Sequence, residues 1–395
     1  MTGESPKADW DPNLYKTLDE RAAEYARLRS ECPVAFGLDA WAAPEFWSVM
    51  QYRDIVTCAR DTRTFSNGSS ARLGIRRMPL ESDPPEHGQI RRLLNPFFLP
   101  KAIEKRTEVI RGAVREHLAP LIAAGGGDAV QAIARPVPTK VVMAFLGQPL
   151  EDWSMIKEWA DASRPQQVLD EATRIRIDTA EKALWDYSWA LVRDRQAHAR
   201  QAEDDPVTAI LNGTVDGAPM PEEHAVGMVR LVLAAGHDST SQAFGIVTHF
   251  LATHPDIWAR LSADRSLIRA GIEETLRLNS PVVAMPRTCT ADTEVGGRMI
   301  HAGDRVLLNW ASANRDPAVF EDAETWRIDR ERNPHMVFGT GVHTCAGAPL
   351  ARQELEIYLN ALFDSCAGLR LAGEPVIQPM QQYGFSSLPV AVVAG

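Results

Sequence analysis

The chain has 395 residues, 45% hydrophobic and 24% charged, the balance of an ordinary globular protein. Its 42 Lys and Arg against 52 Asp and Glu leave a net charge of −10 with no long basic block, which disfavours nucleic-acid binding as the main task. Five cysteines, an odd number without a C-x-x-C pair, argue against a disulfide framework or a cysteine zinc site and suit a reducing cytoplasm.

The polar stretch Met1 to Trp10 lacks the apolar core of a signal peptide or anchor, and no run of about 18 apolar residues follows. A cytoplasmic protein with no membrane role is therefore expected. No Gly/Ser linker, low-complexity block or internal repeat divides the sequence, so a single domain over residues 1–395 is expected. Residues 13–31 place Leu14, Leu18, Ala22, Tyr25 and Leu28 on one helical face, Phe46–Met50 reads as a strand, and 53–60 as a helix. The segment Ser66–Glu81 is polar and irregular, with Gly68, Gly74, Arg72, Arg76 and Arg77, and is compatible with either a solvated loop or a substrate-contacting one.

At Asp83-Pro-Pro-Glu-His87 two prolines fix the entry to a helix. His87 and Arg91 are four apart and project from one face, two donors suited to a pair of carboxylates. Residues 102–212 are helical in pattern, with breaks at Gly125–Gly127 and Asp204–Pro206 and a short buried helix near 136–147. No chemistry is legible there.

A long helix is predicted over 221–254, about 50 Å in length, with Glu222 and Glu223 at its positive end. Its first half is apolar on most sides, which marks it as central. The run Ala235-Gly236-His237-Asp238-Ser239-Thr240 interrupts that pattern. A mid-helix glycine costs about 1 kcal/mol relative to alanine, and hydroxyls compete for backbone carbonyls. A local opening of the helix is therefore expected, with His237 turned to the surface or a partner. Glu274 and Arg277 share a helix face and can pair. Residues 281–287 are extended, short strands follow at 293–295, 299–300 and 306–309, and Tyr383–Pro389 reads as a hairpin tip.

The most specific stretch is Phe338-Gly339-Thr-Gly341-Val-His343-Thr-Cys345-Ala-Gly347, followed by a helix with Leu355, Tyr358, Leu359 and Leu362 on one side. Its glycines let the main chain approach a large flat object. The helix N-terminus beyond it favours thiolate over thiol at Cys345. These ten residues resemble, without a gap, the cysteine signature of the cytochrome P450 haem-thiolate monooxygenases of the soluble, bacterial, ferredoxin-dependent type.

The resemblance implies a mainly α fold with a small β-rich region, a triangular single domain whose long central helix lies over haem b. Cys345 would ligate the iron, and His87, Arg91, Arg287 and His343 would bind the propionates. Phe338, Gly339, Gly347 and Ala235 would also contact the cofactor. Asp238, Ser239 and Thr240 would deliver protons for O2 activation. Here the sequence departs from the family pattern: Ser239 replaces the usual threonine, keeping the hydroxyl and losing the methyl that stiffens it. Glu274 and Arg277 would buttress the haem-binding core, joined by Arg330 or Arg327. Leu231, Ala234, Val283, Met285 and Phe385, with Ser386, would line a pocket for a hydrophobic or aromatic small molecule; a carboxylate-bearing one would use Arg72, Arg76 or Arg77. The implied reaction inserts one atom of O2 into a C–H bond, as hydroxylation or oxidative dealkylation. Electrons would come from an external ferredoxin docking at Arg92, Lys101 and Arg352. A peroxygenase driven by H2O2 is a competing reading, against which the Asp238/Ser239 pair weighs. A non-catalytic haem sensor or carrier is another, against which the lack of a visible output segment weighs.

Overall fold

Helices supply most of the ordered chain in this computed structural model, which describes residues 8–11, 18–40, 43–68, 75–163, 170–378 and 383–394. Leu14, Arg72 and Gly74 lie outside the described residues. The N-terminal region holds α1 (Leu18–Glu31), α2 (Tyr52–Arg60) and strands β1 (Val34–Ala40), β2 (Ala43–Val49) and β3 (Phe65–Ser66). Next come α3 (Glu86–Leu94), α4 (Pro100–Glu104), α5 (Thr107–Ala123), β4 (Gly126–Asp128), α6 (Pro136–Phe145), α7 (Trp153–Ala162), α8 (Glu171–Ala197) and α9 (Pro206–Leu211). The hairpin β5 (Thr214–Val215) and β6 (Ala218–Pro219) precedes α10 (Glu222–Thr253), α11 (Pro255–Ala263) and α12 (Ile268–Leu278). Then follow β7 (Ala284–Cys289), β8 (Thr293–Val295), β9 (Arg298–Ile300), β10 (Arg305–Asn309) and α13 (Trp310–Ala313). The chain ends with α14 (Ala348–Ser365), β11 (Gly368–Leu371), β12 (Val376–Ile377), β13 (Phe385–Ser387) and β14 (Pro389–Val393).

These elements divide into two compact units, each discontinuous in sequence. The first takes residues 1–69, 277–344 and 377–383. Its centre is a five-stranded sheet in the order β1-β2-β10-β7-β3. β10 runs parallel to β2, with Val306 opposite Trp47 and Leu308 opposite Val49. Alternate residues of a strand point to one face, and here Val306 and Leu308 of β10 join Val34, Val49 and Cys289 against Ile55, Cys58 and Ala59 of α2. Burial of each such aliphatic side chain is worth roughly 1.5–3 kcal/mol. Gly341 holds the cysteine-signature loop against the end of α2: its φ is +74°, and a Cβ there would lie 2.7 Å from the Ala59 carbonyl oxygen.

The second unit takes residues 70–276, 345–376 and 384–395. α10 is its longest helix and is buried along most of its length. It packs on α6, which Pro136 opens from a position where a missing N–H does no harm and which is buried at nearly every residue. α8 and α9 start at aspartate caps, Asp170 accepting from the Thr173 N–H and Asp205 from that of Thr208.

The helical pattern does break at Gly125–Gly127, where β4 pairs with β14 and a Cβ on Gly126 would lie 2.3 Å from the Val390 carbonyl oxygen. Two expectations change. Phe385–Ser387 forms strand β13 rather than a hairpin tip, with the Ser386 hydroxyl donating to the Val376 carbonyl. α10 is helical without interruption through residues 236–240, and Ser239 Oγ donates back to the Ala235 carbonyl at 3.1 Å instead of opening the helix. Gly236 is explained by packing: a Cβ there would lie 2.3 Å from Cγ2 of Val142 on α6.

Candidate active site

In the second unit, Cys345 stands just ahead of α14, whose first turn carries Pro349. Desolvation raises the thiol pKa on balance, and hydrogen bonds from the Gly347 and Ala348 N–H groups, with the charges of Arg91 and Arg352, offset part of that rise. By surface area the residue is exposed, while protein atoms crowd the sulfur as densely as a buried group. Both hold for a sulfur facing a cleft, and the accessible surface decides whether a partner can reach it. A Cβ on Gly347 would sit 3.9 Å from the sulfur and 3.8 Å from the Phe98 ring, so any larger side chain there would crowd that approach.

Arg91 lies on α3 with its Nε donating to Asn95 Oδ1 at 2.8 Å. Burial lowers its pKa and the nearby Cys345 raises it, which puts guanidinium and sulfur within electrostatic reach. His87, one turn earlier and 3% exposed, has its pKa lowered by burial and then by Arg91, which favours the neutral ring.

On α10, Ala235 is exposed and Leu231, Ala234, Asp238 and Ser239 are half-buried, whereas Leu233, His237, Thr240 and Ser241 are buried. Positions 231, 234, 235 and 238 share one helix face. A helix otherwise packed into protein thus keeps one accessible strip, and it carries the acid Asp238 and the alcohol Ser239. Thr240 is off that strip, which leaves Ser239 as its hydroxyl. His237 is not at the surface: it is fully buried, with Nδ1 2.6 Å from Thr139 Oγ1. Phe385 packs its ring 4.7 Å from that of His249 and against Gly245, and its N–H donates to Gln242. Gly245 is six residues beyond Ser239, or about 9 Å along the helix, and Gln242 three residues beyond it, so Phe385 packs on α10 just past the C-terminal end of the strip.

In the same unit Arg76 makes two bonds to Glu86, at 2.9 and 2.8 Å, and Arg77 two to Glu81, at 3.0 and 2.6 Å. Neither guanidinium is waiting for a carboxylate. Arg352 is likewise held, with Nε and NH2 each 2.7 Å from Glu273, whereas Arg92 and Lys101 are exposed.

In the first unit, Phe338 and Gly339, the latter at φ +70°, lead into a tight turn at Gly341–His343, with His343 half-buried. Arg287 is 2% exposed on β7 and donates to the Pro286 carbonyl. Val283 is buried, its carbonyl accepting from the Ala311 N–H, and Met285 packs on the sheet's core cluster. α12 carries Glu274, 1% exposed, and Arg277, fully buried. Arg277 donates to the carbonyls of Asn314 and Ala323 at 2.7 Å and Thr325 at 3.3 Å, and lies 4.9 Å from the Phe320 ring centre. Arg330 joins this knot through the Glu321, Asp322 and Thr325 carbonyls, while Arg327 spends itself on the carboxylates of Glu321, Asp322 and Asp329.

Comparison with known proteins agrees with this geometry. The profile of the cytochrome P450 family matches residues 49–389. Steroid C26-monooxygenase of Mycobacterium tuberculosis is 30% identical over 390 residues, covering 97% of this chain and 96% of its own. Cyclomarin C epoxidase CymV of Salinispora arenicola is 32% identical over 341 residues, covering 84% and 86%. The solved structure of cytochrome P450 PksS, from the bacillaene polyketide synthase of Bacillus subtilis 168, matches with a TM-score of 0.87 at 28% identity, covering 97% of this chain and 99% of that one. The chain belongs to the cytochrome P450 family. It is a haem-dependent monooxygenase with haem b as cofactor, acting on a small molecule with O2. Among the described residues, no helix is long and apolar enough to cross a membrane.

The residues present fit haem: an accessible sulfur cradled by two N–H groups and two arginines suits an anionic iron ligand. Nothing local in the sequence marks Thr139 or Asp161, since Thr139 is 98 residues from its partner His237.

Proposed function

We propose that Cys345 supplies the thiolate that binds haem iron, with His87, Arg91, Arg287 and His343 pairing the propionates and Phe338, Gly339, Gly347 and Ala235 against the cofactor. The observation that carries this is the hydrogen-bonded, accessible sulfur of Cys345 at the head of α14. Haem bound there supplies the iron centre at which O2 is cleaved. The protein's own part is to set two N–H groups and two guanidiniums where they favour the anionic sulfur against the cost of its burial. Asp238 and Ser239 keep a proton donor and a hydroxyl on the accessible strip of α10. Because the chain passes between its two compact units five times, residues 1–395 are proposed as one catalytic domain.

Leu231 and Ala234 on the same strip support an apolar or aromatic substrate, oxidised at a C–H bond by hydroxylation or oxidative dealkylation. Relatives named as a steroid monooxygenase and an epoxidase support an organic small molecule. The ion pairs of Arg76 and Arg77 count against a carboxylate clamp built from them. Electrons are proposed to arrive from a ferredoxin-type donor in the cytoplasm, docking at Arg92 and Lys101, with Arg352 committed to Glu273.

The test is the reduced carbon monoxide spectrum of purified holoprotein. A red-shifted, sulfur-ligated band that disappears in Cys345→Ser is expected; the band surviving that substitution would overturn the assignment.

A further inference from the structure

The polar turn of α10 is held from behind by a buried network that the reaction chemistry does not account for. His237 and Thr139 are both fully buried. Thr139 Oγ1 lies 2.7 Å from the Arg135 carbonyl and 2.6 Å from His237 Nδ1. A carbonyl only accepts, so the arrangement that satisfies all three of these atoms has the hydroxyl donating to Arg135 and His237 donating from Nδ1 to the hydroxyl. That places the Nδ1 proton on Thr139 and leaves Nε2 4.0 Å from Asp161 Oδ1 of α7, beyond hydrogen-bond distance, a contact that is attractive when Nε2 also carries a proton. The other oxygen of Asp161 is occupied by Arg135 at 2.9 Å and Lys157 at 3.2 Å. On either side of the ring the helix is equally constrained: Gly236 abuts Val142 of α6, and the Ser241 hydroxyl donates to the His237 carbonyl at 2.6 Å.

Residue 237 is thus clamped between α6 and α7, and the next two residues are Asp238 and Ser239, which face the accessible strip. Successive residues of a helix are turned by about 100° from one another, so a shift of the ring on the packed face carries the carboxylate on the open face with it. We propose that His237, clamped by Thr139 and Asp161, is a positioning residue that sets the direction of the Asp238 carboxylate and the Ser239 hydroxyl. It also ties their placement to the position of α7. This rests on the reading of Asp238 and Ser239 as the proton-delivering pair. Arg135, Thr139, Lys157 and Asp161 lie between 76 and 102 positions before His237 in sequence, so the coupling is tertiary and not a property of the helix alone.

The experiment uses holoprotein, a ligand chosen by its spin-state shift, and a surrogate ferredoxin with its reductase. Product per electron pair, the solvent isotope effect on turnover, and amide hydrogen exchange over residues 235–240 are measured. His237→Leu removes both contacts at similar volume; His237→Asn keeps a donor towards Thr139; Asp238→Asn is the reference. His237→Leu is expected to lower product per electron pair by about tenfold, part of the roughly 10²–10⁴ that a positioned proton donor supplies. It should also move the isotope effect in the direction of Asp238→Asn and speed exchange over the turn, with His237→Asn restoring much of each. A purely structural role would lower stability and haem content and leave coupling of the folded fraction intact. His237→Leu with wild-type coupling and isotope effect, beside an altered Asp238→Asn, would overturn the positioning role. An unaltered Asp238→Asn would instead overturn the proton-delivery reading beneath it. Should His237→Leu not fold, Thr139→Val and Asp161→Asn carry the test, and wild-type values in both would overturn the proposal.

Discussion

Gly236→Ala probes the contact that decides how closely α10 and α6 approach. The added Cβ would lie 2.3 Å from Val142 Cγ2. Carbon atoms in contact prefer about 3.5–4.0 Å, so the helices must part or Val142, 5% exposed, must leave its rotamer. Overpacking of this kind costs about 1–3 kcal/mol. Alanine recovers about 1 kcal/mol of helix propensity over glycine, which leaves a net loss of about 0–2 kcal/mol. In a Val142→Ala background both γ-methyls are gone, and the same substitution should become stabilising by about 1 kcal/mol. The four proteins of the cycle are compared by urea denaturation, read as midpoint and slope. A change of sign between backgrounds is expected. If Gly236→Ala were equally favourable in both, the close approach would not be what selects glycine here.

Arg277→Ala removes the group shared by the carbonyls of Asn314, Ala323 and Thr325. The Thr325 carbonyl keeps Arg330, and each of the other two buried acceptors left without this donor costs about 1–3 kcal/mol, so a loss of at least about 2 kcal/mol is expected in a denaturation midpoint, and a loss under about 1 kcal/mol would contradict the knot. Glu354, 3% exposed on α14, has its carboxyl pushed well above the usual range by desolvation. An acid so raised binds its proton more tightly folded than unfolded, so its cost to stability starts near the unfolded value of about 4.3 and grows as pH rises towards the folded one. Glu354→Gln should therefore gain on the wild type steadily between about pH 4 and 7, and a pH-independent difference would count against burial as the cause. Charge reversal at Arg92 and Lys101 should slow turnover driven by ferredoxin and spare turnover driven by peroxide; equal effects on both would remove the docking assignment.

The long helix and the cysteine loop were legible in the sequence because each is written in contiguous residues. A 32-residue helix declares itself by periodicity and by acids at its head. The signature around Cys345 is ten adjacent positions, six of them fixed residues. The Glu-x-x-Arg spacing was far less telling. At Glu24/Arg27 and Glu108/Arg111 it yields exposed ion pairs, and at 274/277 it yields two buried residues, one of them bound to carbonyls more than thirty residues away.

By its sequence alone the chain determined its family, the cysteine ahead of the last long helix and the helix that bears the acid and alcohol, since local spacing sets which side chains share a face. Only the tertiary structure decided that α10 runs on unbroken, that His237 is buried against Thr139, that Thr240 is off the open strip, and that Arg76, Arg77 and Arg352 are already engaged. Those outcomes depend on partners brought together from distant parts of the chain, and no periodicity along a single helix records what will pack against its other side.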